Sequence, residues 1–571
     1  MTLLAKPFGF FCLNQTWQSN ARSDYSLIPI LENRIPLSTG TRSNGKWYLT
    51  PNGVQVAAHT AIATGSQGLK TLVFTQTIPW VNSAINTINA SLGPSACILN
   101  AEEIRMHAVV SEELGGKSRL YIEINPDGML ISSSVCHHGL LLPYERLLHE
   151  SLFKRPDGIN VMVATSTVAQ GMNLPSEVVI IAGDSRFDQE ADKMQQLEAH
   201  ELLNAAGRAG RAGDRSYGFV LLVPSKVIDF DDASSVVHQH WEDLRVIFSQ
   251  SDQCLEIEDP LAHLLDQIHL ESTKLSPLSY YLLKRLPVDK SSDDGVEGGA
   301  ARRFLSKSLG AYRARARGDV SWIETRIEAA VQARRADPET PAELTWADHL
   351  AAATGIPVGV IRELGNGLSK PIHFHASMSD WYRWMVEWLT WNPQLIPILI
   401  RRESLEQFFG SQYVALQTDQ ERGTYALPLI SKMLTCWMAG DTLEDLERVY
   451  GTTEQKIGKC ESAREFVLRI VPELAFIFGT PAQIFRALKT SSSEAADPPL
   501  GLAVLGSCVK EGFDRIEKLA LQQIIPGRAS RREVHREYLT LQHLLNDSNS
   551  NEDFGNVIGR VKNAFTVMHE L

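Results

Sequence analysis

Between Lys70 and Pro224 the sequence alternates two periodicities, and this alternation limits the fold more than any other feature. The runs Thr71–Phe74, Met129–Val135, Val161–Ala164, Val178–Ile181 and Phe219–Val223 are short, apolar and rich in β-branched residues, as expected of strands buried on both faces. Amphipathic stretches of helical period separate them, among them Asp192–Ala206. Strand, helix, strand in repetition builds right-handed crossovers, so residues 69–226 are expected to form an α/β domain on a parallel sheet. Residues 1–68, broken by Pro7, Pro29, Pro36 and Pro51, read as an irregular lead-in.

After Ser225 helical periodicity takes over, and a large mainly α-helical region of winged-helix or helical-bundle type is expected. The polar stretches 289–300 and 491–499 read as linkers. They leave a helical connector at 227–288, possibly a winged helix, an accessory region at 301–490 and a C-terminal region at 500–571.

Charge and cysteine use narrow the function. With 55 Lys and Arg against 67 Asp and Glu the net charge is -12, so diffuse attraction to nucleic acid or anionic lipid is not expected and any such site must be a local basic patch. The seven cysteines are scattered with no C-x-x-C pair, which argues against a disulfide framework or structural zinc and fits a reducing cytoplasm. Lys6 and Pro7 interrupt the only stretch that resembles a signal sequence. No apolar run approaches the roughly 18 residues of a membrane span, so no membrane association is expected.

The strongest chemical signal is Ala164-Thr-Ser-Thr-Val-Ala-Gln-Gly-Met-Asn-Leu-Pro175, directly after an expected strand, followed by Asn204-Ala-Ala-Gly-Arg-Ala-Gly-Arg211. Glycines let backbone pass close to a polyanion, and two arginines three apart on a turn direct both guanidinium forks one way. That is a phosphate-facing arrangement.

These blocks resemble motifs V and VI of superfamily 2 helicases, in the wording of the Ski-like DExH branch. Thr71-Leu-Val-Phe-Thr-Gln-Thr77 resembles motif IV, and His137-His-Gly-Leu-Leu-Leu-Pro-Tyr-Glu-Arg146 resembles the block that precedes motif V in that branch. The resemblance implies a second RecA-like domain. It implies that Arg208 and Arg211 are arginine fingers on the γ-phosphate of ATP, a contact that raises the rate about a thousandfold or more. Gly171, Asn173 and Gly207 would line the nucleotide side of the cleft, while Thr165, Ser166, Thr77 and His138 would face nucleic acid. Asn204 stands where motif VI commonly has Gln, and Ile78 where motif IV often has Arg.

The other half of such a site is missing from the sequence. Helicases of this class use G-x-x-x-x-G-K-[ST] to cradle phosphates and an Asp-Glu pair to hold Mg²⁺. Gly40-Thr-Arg-Ser-Asn-Gly-Lys46 has the spacing, but Trp47 replaces the hydroxyl, and a polar turn is the better reading. Gly115-Gly-Lys-Ser118 has the tail, but Ser111 replaces the first glycine, and no Asp-Glu dipeptide occurs anywhere. ATP and Mg²⁺ are therefore expected only at a site shared with a separate chain carrying those motifs. On that reading the chain alone hydrolyses nothing.

In the helical half, residues 301–336 hold nine Lys or Arg and three acidic residues, an excess of six positive charges in an acidic protein. Arg313, Arg315 and Arg317 are the expected phosphate contacts, against the alternative of a solvated helix face. Leu350–Ile361 resembles a helix-turn-helix with Gly355 at the turn, more often structural than base-reading. Trp381, Trp384, Trp388 and Trp391 form one stripe, more often core than a stacking platform. Leu427–Gly451 loosely resembles the Trp-x-x-Gly segment after the core of Ski-like enzymes.

The sequence thus suggests the C-terminal half of an ATP-dependent helicase acting on DNA or RNA, with genome defence as a family-level setting. A nucleic-acid-binding scaffold with a relic helicase fold, or a fragment of a larger helicase, are the alternatives.

Overall fold

The computed structural model describes residues 3–5, 8–12, 25–37, 41–43, 46–48, 52–165, 174, 176–183, 185–188, 193–196, 218–223, 225, 260–270, 283, 286, 299–336, 345–368, 377–491, 497–527, 529–545 and 552–570. They belong to two compact units. One comprises Met1–Leu255 with Glu454–Arg464, and the other Glu256–Thr453 with Glu465–Leu571.

The first unit is built on a five-stranded, fully parallel sheet. Its strands are β1 (Thr71–Thr75), β2 (Ser134–His137), β3 (Val161–Thr165), β4 (Val178–Ala182) and β5 (Phe219–Val223), in the order β5-β4-β1-β3-β2. The expected α/β parallel-sheet class is present, and four of the five expected strands fall where the apolar runs lie. The first four strands named are buried at every residue, which is why their sequences lack alternation. The outer strand β5 leaves Phe219 and Val220 exposed.

Helices α1 (Gly53–Ser66), α2 (Ile78–Leu92), α3 (Ala101–Leu114) and α4 (Pro143–Lys154) surround the sheet. A Cβ on Gly65 would stand 2.5 Å from Val161 Cγ2, so glycine there lets α1 lie close against β3. Val56, Ala57, Ala58 and Ala61 of α1 join Ile35, Leu37, Val73, Val163 and Ile180 in one apolar core. Buried Glu103 caps α3 with Asn100 and reaches α4 by accepting from Ser151 and Arg155.

Three expectations are corrected. Residues 1–68 are not irregular throughout: α1 lies there, and Thr41–Ser43 pairs antiparallel with Lys46–Tyr48. That pairing puts Lys46 on a strand, whereas the lysine of a phosphate-cradling loop opens a helix. The strand expected at Met129–Val135 begins at Ser134. Asn89 Oδ1 accepts from the amides and hydroxyls of Ser133 and Ser134, while Met129 and Leu130 form isolated bridges with Ile98 and Ile124. Within the expected helix Asp192–Ala206, Lys193–Gln196 is a strand paired with Ser185–Asp188, and its remainder lies outside the described residues.

The second unit is helical in every described element. Its first layer contains α5 (Pro260–Leu270), α6 (Gly299–Ser306), α7 (Leu309–Ala316) and α8 (Val320–Ala336) around Leu265, Ile268, Leu305, Ile323 and Ile327. Trp346–Thr354 and Val358–Leu368 are joined through Gly355, whose φ of 76° ends the first helix. Trp381 and Trp388 are buried while Trp391 is 84% exposed, so the tryptophan stripe is chiefly packing. Among the described residues one helix, Glu461–Leu488, is long and apolar enough to cross a membrane by length and composition, and 56% of its apolar window is buried inside the protein.

Candidate functional site

Parallel strands all end at one edge of their sheet, and open α/β sheets bind ligands beyond that edge. Register brings three of the expected blocks together there. Thr75 of β1 pairs with Thr165 of β3, and His137 of β2 lies beside Ala164. Motif IV-like Thr77, the His137-His138 pair and the entry to the motif V-like block therefore leave adjacent strands at the same end.

Thr77 is exposed at the first position before α2. Its side chain does not cap the helix, although its carbonyl accepts from Trp80 and Val81. Pro79 removes one of the amides that such a helix start would otherwise offer to an anion. Thr165 closes β3 and is buried. Ser166, Gly171, Asn173, Gly207, Arg208 and Arg211, the remaining expected nucleotide and nucleic-acid residues of the two strongest blocks, lie outside the described residues.

His138 is a different case from the expectation of a direct contact. Its ring is buried edge-on against Tyr121, with centroids 4.7 Å apart, and Nδ1 accepts from the amide of Leu140. Burial, helped by the nearby His149, pushes its pKa down to about 3, so the imidazole is neutral. A ring in that position shapes the loop after β2 and does not present itself to a strand in solvent. His137 instead bonds Glu150 at 3.2 Å. The bond to His137, outweighing burial and aided by Lys154, holds that carboxyl down at about 2.

Beneath these loops lies an ionic cluster that the sequence did not single out. Glu145, inside the His137–Arg146 block, has no exposed side-chain surface, and neither has Arg464. All five guanidinium donors of Arg464 are used. Nε donates to Lys459 O, Nη1 to Leu140 O and Glu145 Oε2, and Nη2 to Arg119 O and Glu145 Oε1. Glu145 also accepts from the amides of Tyr121 and Leu142. Burial alone would raise the Glu145 pKa, but the guanidinium charge prevails and holds it below the usual range. The guanidinium carbon stands 5.0 Å from the Tyr121 ring centroid. The segment Glu454–Arg464 is thereby fastened to the loop that follows the motif-bearing strand β2. No spacing rule links residues so far apart in sequence, and in the polar, charged stretch Lys459–Glu465 nothing set Arg464 apart as a buried cation.

His149 sits behind this pair, fully buried, with Nδ1 2.7 Å from the carbonyl of Cys136. That contact requires the proton on Nδ1. Among the described residues no group of three or more His, Cys, Asp or Glu side chains is arranged to hold a metal ion.

The basic helices lie in the second unit. Arg315 and Arg317 are exposed and Arg313 is partly buried. Arg315 donates to Ser306 O, while Arg302 pairs with Glu328 and Arg326 with Asp266. Sequence reasoning missed two aromatics among them. Phe304 is 58% exposed and Tyr312 68% exposed, an interleaving of cations and open rings that suits single-stranded nucleic acid. Exposure was the signal that helical periodicity alone did not supply.

The Trp-x-x-Gly segment has a structural role. Trp437 donates its indole N–H to Val509 O at 3.0 Å and carries the Arg531 guanidinium 4.0 Å from its ring centroid. Gly440 ends the helix at φ +93°, against the ring of His535.

No protein-family model matches the chain. The chain is similar to the DExH-box ATP-dependent RNA helicase DExH14 of Arabidopsis thaliana, 31% identical over 181 residues, which make up 31% of this chain and 8% of that protein. It is also similar to the antiviral helicase SKI2 of Saccharomyces cerevisiae, 40% identical over 87 residues, 15% of this chain and 6% of that protein. A solved DUF1998 helicase, MrfA bound to DNA and AMPPNP, aligns at 14% identity and a TM-score of 0.25, covering 46% of this chain and 31% of that one. The matched stretches span less than a tenth of the length of the curated relatives.

Proposed function

We propose that this chain, part of which is related in sequence to Ski2-like superfamily 2 helicases, supplies the second RecA-like half of an ATP-driven nucleic-acid translocase. The observation that carries the reading is one of order and omission. Four blocks stand in helicase order from Thr71 to Arg211, while the sequence contains no Asp-Glu dipeptide and no complete G-x-x-x-x-G-K-[ST].

The phosphates and Mg²⁺ would then be held by a first RecA-like domain outside this sequence, which we assign to a partner chain. Arg208 and Arg211 would enter that site and neutralise charge developing on the γ-phosphate. Gly171, Asn173 and Gly207 would line its near wall. Thr77, Thr165 and Ser166 would face DNA or RNA along the sheet edge, with Arg313, Arg315 and Arg317 holding phosphates on the helical unit. Coupling requires the sheet-edge loops to keep their shape, which is the work we assign to the Glu145–Arg464 pair.

The test is reconstitution with a chain carrying a Walker A lysine and a DExH box. The expected result is ATP hydrolysis stimulated by single-stranded nucleic acid in the mixture and none from this chain alone. A mixture that binds nucleic acid but hydrolyses no ATP supports the scaffold alternative instead.

A further inference from the structure

A side chain joins the loops that leave two neighbouring strands at the ligand-facing edge of the sheet. Half-buried Gln76, between buried Thr75 and exposed Thr77, donates from Nε2 to the carbonyl of Gly183 at 3.2 Å. Gly183 is the first residue past β4, and β4 lies beside β1 with Ile181 opposite Phe74. We propose that Gln76 is a positioning residue: it passes the hold of a nucleic-acid strand on Thr77 to the turn after β4, and so to the chain that runs on to Arg208 and Arg211. The proposal rests on the reading that Thr77 faces nucleic acid, and names the group that links that contact to the arginine-bearing segment.

Backbone chemistry fixes both ends of the link. On the β1 side, Thr75 is buried and paired with Thr165, and the carbonyl of Thr77 accepts from the amides of Trp80 and Val81 at 3.1 and 3.0 Å. Gln76 stands between two held residues, so a displacement of Thr77 reaches its side chain through a single peptide unit. On the β4 side, Gly183 takes a φ of +96°, in the left-handed region that favours glycine. Its amide donates to Val223 O of β5 at 2.7 Å. A Cβ there would stand 3.2 Å from Ser225 Oγ and 3.8 Å from Gln76 Cγ, so the turn is packed against both neighbouring loops. Strand β5 thus holds the amide of Gly183, and Gln76 holds its carbonyl.

That carbonyl sets the direction in which the chain leaves the sheet. A peptide unit is planar, so fixing the oxygen of Gly183 orients the bond that leads onward. The next described residues, Ser185–Asp188, pair antiparallel with Lys193–Gln196. A primary amide suits the task, since it donates to a carbonyl without bringing a charge into a half-buried place. Loss of one hydrogen bond of this kind shifts a local equilibrium by about two- to tenfold.

The experiment is amide hydrogen exchange of the full chain at residues 185–188 and 193–196, on the parent and on Gln76→Met. Each is measured alone and with oligo-dT or oligo-U of about twelve residues, a length that fills a typical single-strand site. Methionine keeps the length of the side chain and its packing against Gly183 but cannot donate, and strand affinity is read separately by fluorescence anisotropy. Without strand, exchange at these residues is expected to be about two- to tenfold faster in Gln76→Met. Saturating strand is expected to slow exchange there by a similar factor in the parent and to leave the variant unchanged, with strand affinity held within about twofold. Response lost while affinity is kept separates positioning from a general structural role. Equal exchange in the two chains without strand, or a strand response that persists in Gln76→Met, overturns the proposal. A strand that binds the parent without slowing exchange at these residues contradicts the link alone, whereas a strand that binds neither chain contradicts the nucleic-acid reading of the sheet edge and the link with it.

Discussion

Arg464 donates to both carboxylate oxygens of Glu145 across 319 residues of sequence, with neither side chain exposed. A pair desolvated this fully is costly to break from one side, because the surviving charge stays buried without its partner. Glu145→Gln is expected to destabilise the first unit by about 3–5 kcal/mol. Amide hydrogen exchange in residues 454–464 reads the loss directly. The double change Glu145→Leu with Arg464→Met is expected to recover much of that protection, since no charge is then stranded. Because the Glu145 pKa is depressed, its contribution is complete above the ordinary carboxylate range and disappears as pH falls through the lowered value.

His535 gives the helical unit a different pH response. Its Nε2–H donates to Gly512 O at 2.8 Å, and Nδ1 accepts from Lys518 Nζ at 2.9 Å. Burial lowers its pKa from 6.5 to about 4, with Lys518 and Arg531 acting in the same direction and the Gly512 bond and Asp514 opposing. The unfolded imidazole takes up a proton first. Stability from this residue is therefore full above pH 6.5, declines as pH falls towards 4, and changes no further below that. Urea unfolding of the helical unit across that window, flattened in His535→Asn, checks the sign.

Gly440 is expected to tolerate no side chain. An L-residue at its φ of +93° is strained, and a Cβ would stand 2.5 Å from His535 Nδ1. Gly440→Ala should cost more than the ~1 kcal/mol of a backbone misfit alone, read as a lowered melting temperature. Ala439→Gly, one residue earlier in the same helix, should cost only the ~1 kcal/mol of helix propensity.

Tyr312 and Phe304 are expected to stack on single-stranded bases. Replacing either by Ala should weaken single-strand binding by about 1–3 kcal/mol, measured by fluorescence anisotropy, with little change in melting temperature because both rings are largely exposed. Affinity unchanged in both variants would return the basic helices to the role of a solvated face.

The sheet was legible because β1, β3 and β4 are buried on both faces, so their apolar runs needed only length and β-branching to be read, and the outer β5 kept the same apolar composition although Phe219 and Val220 are exposed. Met129–Val135 misled because its apolar residues serve two bridges while Asn89 holds the serines that begin β2. Helix α1 was hidden by its composition: Val56, Ala57, Ala58 and Ala61 are small, and the proline-rich stretch before them drew attention instead. At the candidate site, the meeting of Thr75, Thr165 and His137 follows from strand order and was implicit in the motif sequence. The pairing of Glu145 with Arg464 was not, since nothing local records which distant cation will neutralise a buried carboxylate.

The central claim is that Arg211 completes an ATP site whose other half lies outside this sequence. It is tested most directly by kcat for nucleic-acid-stimulated ATP hydrolysis in the reconstituted pair, comparing Arg211→Ala with the parent chain. The account predicts a fall of about a thousandfold or more with assembly and strand binding retained. Hydrolysis at the parent rate in Arg211→Ala would contradict it.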